Sequence, residues 1–296
     1  MTTLLLSLAI VAAWGCWIPV AQAIAGPRQS TRTLHVTVGN VVFATAALIV
    51  GGSAGQVNLG WRDFWLPLAG GMVWTLGNFC AFRATDAIGL ARAAGTWTPL
   101  NIIVAFIFGA LLFNEMAGFS AARYVILGGC LVLVLAGVFL IIGSQNSGTP
   151  AQASAHRGGL LYAVGAGILW GAYFVPAQWA HVPSQLGNFP LSIGMLLAAI
   201  ALAARDGGIV RLPPRATSVL LASGLLFGIG SVALLGLVAR VGAGVGFTIA
   251  QLSLPVNAAI SIWVFKQPAP GTRAARTAIT GILLAGVGGT IIGALK

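Results

Sequence analysis

Charge is what this chain has least of. Of 296 residues only four are acidic and fifteen are Lys or Arg, so charged residues make up 6% of the sequence. A soluble domain carries about 25%. With 58% hydrophobic residues as well, the chain has too few polar groups to cover itself in water, and the bilayer is its natural solvent. The acids are Asp63, Asp86, Glu115 and Asp206, and each falls at the end of an apolar stretch or in a loop. No carboxylate lies at mid-membrane, which argues against proton-for-cation drug exchange, a process that needs a buried acid. Cysteine is also scarce. Cys16, Cys80 and Cys130 have no metal-ligand spacing and read as small packing residues. His35, His156 and His181 lie far apart in sequence, and no His-Glu-x-x-His, Gly-x-Ser-x-Gly, Walker or paired intramembrane aspartate motif occurs. The expectation is therefore a protein that is not an enzyme and uses no metal and no cofactor. The net charge of +11 would point to nucleic acid in a soluble protein. Here the basic residues never form a dense run, so they read as loop residues that set membrane orientation, and nucleic acid is not an expected partner.

What is present is apolar sequence in helix-length pieces. Ten spans are predicted, at 4–25, 34–52, 65–83, 88–113, 122–143, 158–180, 187–204, 216–238, 243–265 and 275–295. Gly26-Pro27, Gly51-Gly52-Ser53, Gly207-Gly208, Pro213-Pro214 and Pro268-Ala269-Pro270-Gly271 punctuate them as turns. The first run ends in Ala21-Gln22-Ala23, which looks like a leader-peptide cleavage site, but no basic segment precedes it. Its Trp-Gly and Ala-Gln pattern also returns in mid-chain, so it is read as the first membrane span.

That return is part of a longer repeat. Trp14-Gly15 with Ala21-Gln22 matches Trp170-Gly171 with Ala177-Gln178. Gly71, Trp74, Gly77 and Asn78 match Gly224, Phe227, Gly230 and Ser231; Pro99 and Asn101 match Pro255 and Asn257; Ala122-Arg123 with Gly128 matches Ala275-Arg276 with Gly281. All keep their order at offsets of 153 or 156 residues. The predicted organisation is a first five-helix repeat over 1–148, a linker over 149–157 and a second repeat over 158–296. Because five is odd, the second repeat inserts upside-down, the arrangement of secondary transporters. Glycines inside spans, among them Gly70, Gly71, Gly77, Gly128, Gly129, Gly224 and Gly228, are expected to let helices approach closely. Arg62, Arg123, Arg240 and Lys296 fall on the side of the N-terminus; ten others, including Arg28, Arg32, Arg83, Arg205, Arg273 and Arg276, fall on the opposite side. The positive-inside rule then puts both termini on the non-cytoplasmic side of the inner membrane.

Polar residues within spans are the candidate site, because hydrocarbon drives them toward the bundle interior or a cavity. Span 1 carries Trp14, Ile18 and Gln22 on one face, and span 6 carries Trp170, Phe174 and Gln178 at the same spacing. Trp74 and Asn78 lie one turn apart on span 3, as do Trp97 and Asn101 on span 4, where Arg92 and Thr96 occupy a related face. Spans 8 and 9 add Phe227, Ser231, Gln251, Ser253 and Asn257. An indole covers the apolar face of a sugar-like ring and an amide both donates to and accepts from hydroxyls, so this pairing suits a neutral polar solute. The competing reading of each is core packing or an interhelical hydrogen bond; Trp61 and Trp65 read as interfacial belt residues. Pro19, Pro99, Pro176 and Pro255 fall inside spans and are expected to kink them, with a gating role as one reading. Arg83 and Asp86 are spaced to pair on one helix.

Gly71-x-x-Trp74-x-Leu76-Gly77-Asn78, then Arg83-Ala84-Thr85-Asp86-x-x-Gly89-Leu90-Ala91-Arg92, then Phe108-Gly109-x-x-x-Phe113-x-Glu115 resemble the glucose/ribose porter family of the drug/metabolite transporter superfamily. The resemblance runs from Trp14-Gly15 to Gly281. It implies an all-α polytopic fold of ten helices in two inverted five-helix repeats, a central cavity lined by spans 1, 3, 4, 6, 8 and 9, and sugar uptake coupled to protons. Carried over by position, Trp14, Trp74, Asn78, Arg92 and Pro99 would line or shape that cavity. The second half departs from the first in having Phe227 and Ser231 for Trp74 and Asn78. The expected function is alternating-access transport of a small neutral polar solute, a sugar first of all, with lipid and protons as the other partners. An exporter of amino acids or related metabolites on the same fold, and a non-transporting membrane scaffold, are the alternatives.

Overall fold

A computed structural model describes residues 2–57, 60–113, 118–143, 150–182, 184–241, 249–250 and 252–295. Among these there are helices and no strand. The long elements are α1 (Thr2–Gln22), α2 (Gln29–Val50), α3 (Leu66–Ile88), α4 (Leu90–Leu112), α5 (Ala121–Gly143) and α6 (Pro150–Ala172), then a short α7 (Val175–Trp179). They are followed by α8 (Ser184–Arg205), α9 (Pro214–Val241), a short α10 (Ser253–Ala259) and α11 (Arg273–Ala294). A π-helical turn leads into α3 at Trp61–Trp65 and another continues α10 at Ile260–Val264.

Seven of the described helices are long and apolar enough to cross a membrane, and Ala121–Gly137 and Ser253–Val264 are shorter apolar helices. Large apolar side chains point outward along them, with Leu111, Val125, Phe139, Leu161 and Val264 all more than 60% exposed. Only lipid can cover such a surface without penalty. The chain is an all-α, multi-pass membrane protein. Trp61 and Trp65 lie exposed at the entry to α3, as expected of belt residues.

The helix ends depart from the predicted spans where buried polar residues extend them. α2 starts at Gln29 and takes in Ser30, Thr31, Arg32 and Thr33, all buried. α3 runs on to Ile88 and so includes Arg83 and Asp86. It stops because Gly89 takes φ 79°, a left-handed value that costs glycine nothing, and α4 begins at the next residue. α6 begins at Pro150, so helix occupies residues expected in the linker; the Ala-Gln-Ala-Ser-Ala sequence there contains good helix formers.

Helices from the two ends of the chain interleave. α1 packs on α9 and α10, α3 on α6 and α8, α2 on α8 and α9, α4 on α6, and α5 on α11. The tightest crossings run through glycine. A Cβ added to Gly224 of α9 would strike the Val36 carbonyl oxygen and sit 2.8 Å from the Asn40 nitrogen, and Gly39 of α2 faces the Leu221 carbonyl in return. Gly71 and Gly194 bring α3 and α8 equally close, while Gly70 and Gly228 are closed over by Tyr173 and Phe43. The expectation fails at Gly128 and Gly129, where a Cβ would meet open space. These two lie on a stretch of α5 that is largely exposed, and no helix packs over them.

Two substitutions separate these cases. Gly224→Ala forces the α2 and α9 backbones apart and should destabilise by about 1–3 kcal/mol, the range for overpacking. Gly286→Ala, with nothing near its added methyl, should be neutral or raise stability by up to about 1 kcal/mol. Thermal unfolding of the detergent-solubilised protein measures both.

Candidate functional site

The aromatic residues expected to line a cavity converge at the bundle centre. Trp74 and Trp170 stack at 6.1 Å between centroids, Trp74 lies 4.6 Å from Phe227, Trp97 meets Trp170 edge-on at 5.4 Å, and Trp14 stacks on Phe227 at 6.1 Å. One member was not anticipated. Trp17 of α1 is the hub, within 5.2–6.3 Å of Phe227, Trp74, Trp170 and Phe82. It has no amide one turn away, which is why the aromatic-amide pattern missed it. The usable signal was the recurrence of an aromatic, Tyr173, at the 156-residue offset. Trp17, Trp74, Trp97, Trp170 and Phe227 are all buried, so in this conformation the rings fill the space between helices where an open cavity was expected.

Two indoles are held alike. Trp14 Nε1 donates to the Phe227 carbonyl at 3.3 Å, and its ring lies against Gly230, where a Cβ would collide with it. Trp170 Nε1 donates to the Trp74 carbonyl at 3.2 Å, and its ring lies against Gly77. In each pair the glycine follows the accepting residue by three, so one helical turn supplies both the acceptor and the notch. The i, i+3 spacing of Trp74 with Gly77 and of Phe227 with Gly230 is what the sequence repeat preserves.

The polar candidates separate into three groups. Asn78 is fully buried, and neither its Nδ2 nor its Oδ1 has a hydrogen-bond partner among the described residues. Asn257 is buried beside α1 and donates to the Trp14 carbonyl at 3.3 Å and to Ser253 at 3.1 Å, leaving Oδ1 without a partner. These two belong with the rings. Ser231 instead bonds its own helix, at the Phe227 carbonyl, and Asn101 is half-buried on α4 with its carbonyl against Gly171. Arg92 is half-buried in the first turn of α4.

The remaining candidates lie away from the rings. Gln22 accepts from Arg32 at 3.1 Å, at the end of α1. Gln178 is exposed on α7. It does not continue a stripe with Trp170 and Phe174, because the helix breaks between Ala172 and Val175. Pro176, with no N–H to bond the carbonyl four residues back, sits in the first turn of α7 and marks that break. Pro255 likewise falls in the first turn of α10 and not inside a continuous span, whereas Pro19 and Pro99 lie inside α1 and α4. Gln251 lies outside the described residues. Asp86 pairs with Arg32 of α2, not with Arg83; Arg83 turns to Tyr162 and lies over the Phe79 ring. Other buried polar groups that sequence reasoning passed over are structural: Ser223 donates to the Trp17 carbonyl, and Thr75 to that of Met195.

A family model described as sugar transport protein matches residues 5–295. The chain belongs to that family. Similar proteins of full length include one from Lactiplantibacillus plantarum named for sugar uptake, 25% identical over 99% of both chains, and one from Listeria innocua, also named for sugar uptake, 24% identical over 96% of this chain and 95% of that one. A second Lactiplantibacillus plantarum protein, named for ribose uptake, is 24% identical over 90% of each chain. A protein of known crystal structure shares the fold with a TM-score of 0.56 at 19% identity, over 99% of this chain and 97% of that one. Family membership makes this chain a sugar transporter, with a small-molecule sugar as its partner, and not an enzyme.

An unpartnered buried amide costs stability, and its removal tests that cost. Asn78→Leu keeps the side-chain branching and heavy-atom count and deletes two unsatisfied groups, so it should stabilise the protein by about 1–3 kcal/mol, read as a higher melting temperature in detergent.

Proposed function

We propose that the protein takes up a small neutral sugar across the inner membrane by alternating access. The observation that carries this reading is the Asn78 amide, buried without a partner beside a closed set of indole rings. Indole faces cover the C–H face of a pyranose or furanose, and an amide reads its hydroxyls in both directions. We place Trp14, Trp17, Trp74, Trp97, Trp170, Phe227, Asn78 and Asn257 at the substrate site, with Arg92, Asn101 and Ser231 at its margins. The described core of this cluster is neutral, which favours a sugar over a zwitterionic amino acid, whose two charges would each need a counter-charge in a dry site.

The moving parts in this reading are two inverted five-helix repeats, 1–148 and 158–296. Packing in matched pairs supports them: α1 on α9 with α6 on α3, α4 on α6 with α10 on α1, and the two indole notches at Gly230 and Gly77. Rocking of one repeat against the other would part Trp14 from Phe227 and Trp74 from Trp170 and admit the sugar between them. Loop charge supports termini on the non-cytoplasmic side.

Uptake of labelled glucose, ribose and rhamnose into proteoliposomes tests the proposal. Saturable uptake of at least one sugar is expected, reduced about 100-fold or more by Asn78→Leu or Asn78→Ala, as for a buried polar group that reads a substrate hydroxyl. Collapse of uptake when the proton gradient is dissipated identifies proton coupling. No sugar uptake by folded, membrane-inserted protein would overturn the reading in favour of metabolite export.

A further inference from the structure

Where α1 ends, α2 begins and α3 ends, the structure builds an ion pair on a buried arginine. Arg32 is 3% exposed. Its Nη1 lies 3.1 Å from Asp86 Oδ1 and donates at 3.1 Å to Gln22 Oε1, while Nη2 donates at 3.1 Å to the Ile24 carbonyl. Gln29 donates to the other Asp86 oxygen at 2.8 Å. One guanidinium therefore ties together the end of α1, the first turn of α2 and the last turn of α3. Beside it, Ser30 donates to Asp206 at 2.6 Å and Arg28 to the Asp206 carbonyl, tying α2 to the end of α8.

The pair is continuous with the substrate site. Arg32 lies over the Phe82 ring at 5.4 Å, Phe82 meets Trp17 edge-on at 6.3 Å, and Trp17 contacts Trp74, Trp170 and Phe227. A single column of contacts thus runs from the arginine-rich end of the bundle to its centre. The pair also lies within reach of water on its acidic side. Arg32 Nε and Gln22 Nε2 are buried without partners, and Asp86 keeps a third of its side chain exposed. Parting Asp86 from Arg32 in a dry site would leave an uncompensated buried charge, so the two separate only as that end opens to water. At the 153- and 156-residue offsets its counterparts are Gln185 or Asn188 for Arg32, and Ala239 or Gly242 for Asp86. None of these is ionisable, so the sequence repeat does not reproduce the pair.

We propose that Arg32 and Asp86, braced by Gln22 and Gln29, form the latch that closes the substrate path at the arginine-rich end, with Phe82 and Trp17 transmitting its state to the ring cluster. Opening that end separates α3 from the α1–α2 junction, moves Asp86 off Arg32 and frees the Phe82 and Trp17 rings. The inference rests on the alternating-access reading but not on which solute is carried.

The test reads conformation without any substrate. In the full-length protein carrying Cys16→Ala, Cys80→Ala and Cys130→Ala, a thiol is introduced by Ala81→Cys, on α3 beside Phe82, and in a separate protein by Ala285→Cys, in the distant α5–α11 contact. Both positions are fully buried. The rate of modification by a small maleimide is measured in proteoliposomes. Asp86→Asn should raise the rate at position 81 by about tenfold, the population shift expected on weakening a latch of this kind, and leave position 285 unchanged. Gln29→Ala should act in the same direction and more weakly, and Asp86→Glu should stay near the parent. An unchanged rate at position 81 in both Asp86→Asn and Gln29→Ala would overturn the latch. A parallel rise at positions 81 and 285 would overturn it too, since it marks general loosening. Sugar uptake failing while position 81 responds would count against the substrate and not against the latch.

Discussion

Contact between helix backbones is the constraint on which the rest of the molecule depends. Inside lipid, apolar side chains gain nothing by leaving one hydrocarbon surface for another, so helices associate through close packing and hydrogen bonds. Here that closeness comes from glycine. Gly39 and Gly224 seat α2 against α9, and Gly71 and Gly194 seat α3 against α8. With those axes fixed, Gly77 and Gly230 become notches into which the Trp170 and Trp14 rings fit, and the ring cluster takes its shape from them. A methyl at any of these positions meets backbone or a ring with nowhere to go.

Many polar groups of the interior are answered from a neighbouring helix. Ser223 and Thr75 donate to main-chain carbonyls on neighbouring helices, and the indole N–H groups of Trp14 and Trp170 do the same. These bonds hold the bundle. Asn78 differs because it sits at full burial with both ends of its amide unanswered. A group of that kind is destabilising, and the proposed substrate site is built around it.

The ring cluster also couples the centre of the bundle to one of its ends. Cation–π and edge-to-face contacts each contribute on the order of 1 kcal/mol, enough to bias an equilibrium between conformations without locking it. The Arg32–Phe82–Trp17 column is made of such contacts. Its far end holds the Arg32–Asp86 ion pair. In an apolar protein, that is where a small change in charge has the largest effect on position.

The membrane class and the approximate helix positions were legible from composition and run length, because hydrocarbon thickness sets how much apolar sequence a span needs. That Trp14, Trp74, Trp97, Trp170 and Asn78 face the interior was legible too, since amphipathic or polar side chains inside a span are costly against lipid. Local pattern could not show that Gln178 leaves the stripe, because the break at Pro176 depends on how the helix is carried past it. Nor could it find Trp17 or place Arg32 inside the protein. A tryptophan becomes a hub, and an arginine a buried ion-pair partner, only through residues brought from Asp86, Phe82, Trp170 and Phe227. The sequence alone determined which groups must avoid lipid; the tertiary structure decided which partner each one meets, because those partners lie tens to hundreds of residues away and are joined only by helix packing.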